Sequence, residues 1–313
     1  MFGLWRALRR RGVLGLNARN RGAIMGHNPR RCYPLVDDKL KTKRLALAAG
    51  IAVPELYAVL ETEHDLGTLH ARLAERPQFV IKPAHGSGGS GVLVVDGREG
   101  SNYLTADGRA VAPGQIAYHA SNILSGIYSL GGVPDRAMVE YRVHIARIFE
   151  RVSHHGVPDI RLLVYRGMPA MAMLRLPTRR SAGKANLHQG AVGVGIDLAT
   201  GVTRGGVWLN RGVGAHPDFG TPLAGIAIPD WSRLLELGAR CYELTGLGYL
   251  GVDVVLDPER GPLLLELNAR PGLAIQIANR EGLERRLAAI DALAPLPGDV
   301  AARLALLPAL TAA

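Results

Sequence analysis

The sequence predicts an α+β fold in which antiparallel strand pairs are mixed with helices, and three stretches carry that expectation. Residues 79–95, FVIKPAHGSGGSGVLVV, set a loop of glycine and serine between two apolar runs. Residues 158–177, PDIRLLVYRGMPAMAMLRLP, read as two strands joined by a turn at Arg166-Gly167. Residues 251–272, GVDVVLDPERGPLLLELNARPG, read as a hairpin turning over Asp257 to Gly261. Strand pairs without strict βαβ alternation argue against a doubly wound parallel sheet.

The remaining elements follow in order. Residues 1–37 form a basic N-terminal arm. Residues 38–50, DKLKTKRLALAAG, read as a helix ended by Gly50, and 51–59 as an extended piece holding Pro54. A short helix is expected over 65–76, then strands over 79–82 and 91–95. Residues 96–137 carry turn signals at Asp96-Gly97 and Asp107-Gly108 and a helical stretch near 114–129. AMVEYRV (137–143) reads as a strand, and WSRLLELGARCYELTG (231–246) as an amphipathic helix stopped by Gly246. No internal repeat or low-complexity segment interrupts the chain.

Composition bounds the class. The chain has 313 residues, 48% hydrophobic and 20% charged, enough for one large domain or two modest ones. Aromatic residues make up only 5% while there are 39 glycines, so an aliphatic core with tight turns is expected. Cys32 and Cys241 have no metal-ligand or redox spacing, which fits a reduced, cytoplasmic setting. No apolar run reaches the ~18 residues of a membrane span. The net charge is +10, but no acidic residue precedes Asp37 and eight arginines do, leaving +2 for the rest. The basic character therefore belongs to the arm rather than to a groove along the protein. The arm reads as an RNA contact, an anionic lipid contact or a transit segment, or more plainly as a solvated arm packing its apolar side on the body. Arginines inside LWRALRRRGVLGL interrupt any h-region and argue against a secretory signal.

The glycine loop has the letters G-x-G-x-x-G at Gly86, Gly88 and Gly91. A dinucleotide site needs a helix after the last glycine, but the apolar run VLVV follows. A P-loop needs Gly-Lys-Ser/Thr, whereas Val92 follows Gly91. A protein kinase places its lysine after the loop, and none lies between Lys82 and Lys184; the DFG at 218–220 has no H-R-D segment before it. What remains is strand, lysine, glycine loop, strand. Backbone N–H groups of Gly86, Ser87, Gly88, Gly89, Ser90 and Gly91 can fold over phosphates, with Lys82 projecting from the strand before them. The plain alternative is a glycine-rich hairpin loop. Lys82 is one of only five lysines in an arginine-rich chain, so a compact ammonium at this place is informative.

In the hairpin, pairing Leu256 with Leu263 sets Asp253 opposite Glu266, with Asn268 two residues on and on the same face. Carboxylates that face each other in an apolar sheet repel unless a cation intervenes, and a hard divalent ion is the natural one. Arg270 follows on the same parity. The alternative is that Asp253 and Glu266 sit in separate ion pairs with arginines.

On these residues the chain resembles the ATP-grasp superfamily, and within it the ribosomal-protein-S6-modification type, the alpha-L-glutamate ligase-like proteins. The resemblance runs from about Asn17 to Pro271. It implies two α+β lobes clasping a nucleotide, with a shortened N-terminal segment. LVDDKLKTKRLALAAGIAVPELY resembles the entry segment and puts Lys39 on the phosphates; FVIKPAHGSGGSGV puts Lys82 on the α- and β-phosphates. MVEYRV resembles the hinge, with Val139, Glu140 and Tyr141 around adenine. DIRLLV and AMLR resemble strands presenting Arg161 and Arg175 to the γ-phosphate and acyl phosphate. ANLHQGA resembles a substrate loop with Asn186 and His188 near the reacting groups. The last hairpin resembles the metal site, with Asp253, Glu266 and Asn268 as ligands and Arg270 beside them. Two departures stand out. About 37 residues precede Asp38 where members carry a domain of roughly a hundred, so a partner chain or the arm is expected to complete the site. Gln189 stands where glutamate ligases more often carry arginine.

The resemblance implies an ATP-dependent carboxylate–amine ligase, of acid–amino-acid type, working through an acyl phosphate and using two Mg²⁺ ions or Mn²⁺. The amine is an amino acid such as glutamate, and the acid a peptide or small molecule. The division expected is an arm over 1–37, an ATP-grasp domain over 38–285, and a helical tail over 286–313. Within the domain a glycine-loop lobe covers about 65–138 and a metal-hairpin lobe about 139–285. Two other readings fit the same motifs: a phosphotransferase, and a nucleotide-sensing subunit that meets nucleic acid only through the arm.

Overall fold

A computed structural model describes residues 2–86, 88–129 and 131–311; Ser87 of the glycine loop lies outside them. The chain forms two compact units, one of Asp38–Lys43 with Val53–Val143, the other of Met1–Asp37 and Arg44–Ala52 with His144–Ala313.

The smaller unit is built on six strands: β1 (Leu56–Leu60), β2 (Phe79–Pro83), β3 (Leu93–Glu99), β4 (Asn102–Thr105), β5 (Ala110–Val111) and β6 (Ala137–Glu140). Their order is β1-β6-β2-β3-β4-β5, with every neighbouring pair antiparallel. Period-two alternation sorts β2. Phe79 and Ile81 enter a core with Leu69, Ile116 and Ile123 from the helices Glu63–Arg72 and Pro113–Leu124. Lys82 takes the opposite parity. On that other side Leu40, from the helix Lys39–Ala48, packs with Ala84 and Met138. The ambiguous stretch 96–137 thus holds the end of β3, two short strands and a helix, and the strand expected over 137–143 stops at Glu140.

The larger unit holds β7 (Asp159–Tyr165), β8 (Met168–Leu176), β9 (Val192–Ile196), β10 (Thr203–Trp208), β11 (Arg211–Val213), β12 (Tyr249–Asp257) and β13 (Gly261–Asn268). These run β11-β10-β9-β8-β7-β12-β13, again antiparallel throughout. β12 is buried along its whole length, Asp253 and Asp257 included. The helix Trp231–Thr245 lies against the sheet through Gly238, where a Cβ would come within 2.7 Å of Leu162 Cδ1. It ends at Gly246, whose φ of 66° supplies the left-handed stop.

The hairpin has the expected turn and a shifted register beside it. Asp257 Oδ1 accepts from the N–H groups of Glu259 and Arg260, both at 3.0 Å, and Gly261 closes the turn at φ 70°. Leu256 pairs with Pro262 rather than Leu263. A bulge at Leu265 absorbs the extra residue, so Asp253 still faces Glu266 and Gly251 faces Asn268.

The arm is docked on this unit. Asn28 bridges the start of β12 and the end of β13: its Nδ2 donates to the carbonyls of Tyr249 and Ala269, both at 2.8 Å, and its Oδ1 accepts from Tyr249 N at 2.8 Å. Gln276 grips Leu14 through backbone N and O, and Arg19 Nη1 donates to Pro271 O at 3.0 Å. Removing the Asn28 amide orphans one donor and two acceptors in a dry site. Asn28→Ala should therefore destabilise the protein by about 3 kcal/mol, read as a lower urea midpoint at unchanged slope. An unchanged midpoint would mean that the arm is not stitched to the hairpin in solution.

Candidate active site

Four charged side chains converge on one face of the larger sheet. Cross-strand register places Arg161 beside Asp253 and Arg175 beside Asp159. The Arg161 guanidinium grips both Asp253 oxygens, with Nη2 to Oδ2 at 2.5 Å, and Arg175 Nη2 reaches Asp253 Oδ2 at 2.8 Å. Arg175 also clamps Asp159 with two bonds, Nη2 to Oδ2 at 2.5 Å. Asn268 Nδ2 donates to Asp253 Oδ2 at 3.3 Å, and Glu266 sits directly opposite Asp253 in the register. Arg161, Arg175, Asp253, Glu266 and Asn268 are thus gathered as expected, with Asp253 held by arginines.

Burial and charge divide the two aspartates. Burial pushes the Asp253 carboxyl up, but the flanking Arg161 and Arg175 outweigh it and hold it down to about 2. For Asp159 burial dominates. Arg175 pulls its pKa down, the Asp253 charge pushes it up, and the group rests at about 6. The two titrate as a pair around shared guanidinium groups.

The smaller unit carries a cluster of opposite design. Glu140 is buried on β6 between two lysines. Lys82 pairs with one oxygen and Lys43 Nζ with the other at 2.9 Å, while Lys43 also donates to Pro54 O. Burial alone would raise the Glu140 carboxyl, and the two ammonium groups hold it low instead. Burial pushes the Lys43 ammonium down, against the pull of Glu140. Lys39, one helical turn before Lys43, donates its Nζ to the carbonyl of Gly86 at the foot of the glycine loop.

The loop itself has fixed ends and an open tip. Gly88, Gly89 and Gly91 all take positive φ, at 62°, 75° and 71°. Gly86 and Gly91 admit no side chain, since a Cβ would lie 2.3 Å from Pro83 Cγ and 2.5 Å from Tyr128 Cγ. Gly88, Gly89 and Ser90 are exposed. His85 anchors the foot: its Nδ1 sits 2.6 Å from Asp135 Oδ1, and its backbone N donates to Asp135 Oδ2 at 2.9 Å. Arg136 Nη2 holds Asp38 at 2.6 Å, and Asp38 Oδ1 accepts from the N–H groups of Leu40 and Lys41, the first turn of the entry helix.

Other expected site residues stand apart from these clusters. Val139 is in a central strand, paired with Ala58 on one side and Ile81 on the other. Tyr141 lies just past it, its N bonded to Glu55 O at 2.8 Å. Asn186 Oδ1 accepts from His188 N at 3.0 Å in a turn between β8 and β9, where His188 is exposed. Arg270 is exposed, its guanidinium 5.1 Å from the Tyr33 ring centre and 3.8 Å from Asp37.

Lys43, Asp159 and the His85–Asp135 pair escaped the sequence reading. Lys43 is four residues from Lys39 and shares its helix face. Asp159 is two residues from Arg161 and shares its strand face. Those spacings were a usable signal; nothing local pointed to Asp135.

Asp253, Glu266 and Asn268 offer oxygen donors on one face, the chemistry a hard divalent cation requires. Among the described residues no three His, Cys, Asp or Glu side chains gather as a metal site on their own. A cation here would need non-protein oxygens, and Asp253 would have to leave the arginines.

A profile of the family described as sugar-transfer associated ATP-grasp matches residues 18–292. A D-alanine–D-alanine ligase of Dechloromonas aromatica (strain RCB) is 29% identical over 136 residues, 43% of this chain and 44% of that protein. The chain therefore spans less than half the length of this curated relative in their alignment. Among solved structures, the D-cycloserine synthetase DcsG aligns with TM-score 0.48 and 14% identity, covering 84% of this chain and 72% of that one. The ATP-grasp ligase PsnB complexed with minimal precursor aligns with TM-score 0.45 and 16% identity, covering 85% and 62%.

The lysine cluster predicts an ordering of variants. Glu140→Gln leaves two buried ammonium groups without their carboxylate and should cost about 3–5 kcal/mol in urea unfolding. Lys43→Met should cost clearly less, because Lys82 still neutralises Glu140. Equal costs would contradict the shared pairing.

Proposed function

The chain belongs to the sugar-transfer associated ATP-grasp family, and from that premise we propose that it is an ATP-dependent ligase joining a carboxylate to an amine through an acyl phosphate. The observation that carries this reading is the face on which Asp253 opposes Glu266 beside Asn268, with Arg161 and Arg175 on Asp253. The D-alanine–D-alanine ligase relative joins an acid to an amine, which supports the reaction class.

The chemical difficulty is charge. A carboxylate must approach a triphosphate, and both are anions. Lys39 and Lys82 take the α- and β-phosphates, with backbone N–H groups of Gly86, Gly88, Gly89, Ser90 and Gly91 folding over them. Tyr141, just past the strand that Val139 and Glu140 fix, lies beside adenine. Asp253, Glu266 and Asn268 would hold Mg²⁺, which would supply a Lewis acid for phosphate chemistry. Arg161 and Arg175 meet the charge that develops on the transferred phosphoryl group, and Arg270 binds the incoming acid. Asn186 orients the amine and His188 accepts its proton. The closed glycine loop keeps water from the acyl phosphate.

Two residues make the required movements possible. Lys82 must leave Glu140 to reach phosphate, and Lys43 keeps that buried carboxylate neutralised. To hold a metal Asp253 would have to leave the arginines, while Asp159 keeps Arg175 paired and aimed.

The direct test is ADP release from Mg-ATP with pools of amino acids, glutamate included, and short peptides, with and without hydroxylamine. Wild type should give ADP and a hydroxamate, and Lys82→Ala neither. Amine-independent transfer of phosphate to a stable product would make the protein a phosphotransferase instead. The pH profile tests Asp159. Its carboxyl is raised from 3.8 to about 6, so the clamp on Arg175 is ionised above that pH and lost below it. Turnover should fall as pH drops through about 6. This is not unfolding, since the native state takes this proton more readily than the unfolded chain and gains stability in that window. Asp159→Asn should lower kcat on the order of ten- to hundredfold with little change in the KM for ATP, and should lack the limb near 6. A limb that survives in the variant would assign it to another group.

A further inference from the structure

We propose that the N-terminal segment, residues 2–31, is a docking surface for an anionic lipid bilayer. The proposal stands on where charge and apolar surface lie, and it is independent of the chemistry assigned above. Of the eight arginines before Asp37, only Arg19 is buried; Arg6, Arg9, Arg10, Arg11, Arg21, Arg30 and Arg31 are exposed. No carboxylate in that stretch offsets them. Large apolar side chains stand out among them: Leu8 is 41% exposed, Leu16 58% and Met25 77%.

The segment is not a loose tail. Its inward side is anchored by Leu14 on Gln276, Arg19 on Pro271 and Asn28 on Tyr249 and Ala269. Gly12 O accepts from Glu284 N at 2.9 Å. These anchors bury Leu14, Arg19 and Asn28, while the other seven arginines stay exposed. The helix Phe2–Arg10 adds an amphipathic element.

A bilayer is favoured over nucleic acid by the pairing of the two kinds of side chain. A phosphodiester backbone needs the cations but has no use for exposed Leu8, Leu16 and Met25. The interface of an anionic bilayer takes both: guanidinium groups meet headgroup phosphates while short apolar side chains enter the acyl boundary. Such binding is reversible and weakens with salt.

The test is co-sedimentation of the full chain with vesicles of phosphatidylcholine alone or mixed with phosphatidylglycerol, at low and high salt. Binding is expected to the mixed vesicles only, and to be lost at high salt. Arg6→Gln, Arg9→Gln and Arg10→Gln together should weaken it roughly a hundredfold, at about five-fold per charge near the surface. Leu8→Ser, Leu16→Ser and Met25→Ser together should also weaken it, although the charge is unchanged. ATP binding and the circular dichroism spectrum should stay as in wild type for both variants. No binding to mixed vesicles, or equal binding to both kinds, would overturn the proposal. So would tight binding to an RNA oligonucleotide that the serine variant retains in full while the vesicles capture nothing.

Discussion

Burying a charge without a partner costs more than a domain can spare, and this constraint organises both halves of the protein. In the larger sheet, adjacent antiparallel strands carry Asp159, Arg161, Arg175 and Asp253 at facing positions, so two guanidinium groups hold two carboxylates in a dry environment. The set is close to neutral and therefore stable without a ligand. An arginine released from aspartate in such a set is able to hold phosphate instead. The smaller sheet solves the same problem with the signs reversed. Glu140 is enclosed by Lys43 and Lys82, and one lysine can depart without stranding the carboxylate.

Backbone features place these groups. β12 and β13 are fixed at both ends, by the Asp257 turn at one and by the Asn28 bridge at the other. Between them the bulge at Leu265 decides which side chain of β13 meets Asp253. In the smaller unit the first turns of the helix Lys39–Ala48 bring Lys39 to the loop and Lys43 to Glu140, one turn apart on the same face. The glycine loop has tight, packed ends and an exposed centre, which suits a cover that must fit closely and still move.

Much of this was legible in the sequence because it follows from period and parity. Alternation along 79–83 and 251–268 placed Lys82, Asp253, Glu266 and Asn268 on definite faces, and the Asp257 to Gly261 stretch announced its turn. The bulge was not legible. The apolar run before Glu266 fits two registers, and only packing chooses between them. β9 and β10 escaped notice because VGVGI and TRGGVW carry glycines that dilute the strand signal; there Leu187, Leu223 and the backbone of Ala278 approach too closely for a side chain. The counter-ion roles of Lys43 and Asp159 depend on contacts between separate elements, as does the Asp135 support of His85. The arm's charge was plain from composition, yet its attachment through Asn28 and Gln276 spans more than two hundred residues of sequence.

On the proposed function, Asp253 would exchange two arginines for a metal bound with nucleotide. Anomalous diffraction from crystals grown with Mn²⁺ and a non-hydrolysable ATP analogue tests that exchange. The predicted result is manganese on Asp253, Glu266 and Asn268, Arg161 turned away from Asp253, and Arg175 still paired with Asp159. Manganese bound elsewhere, with the arginine grip on Asp253 unchanged beside bound nucleotide, would contradict it.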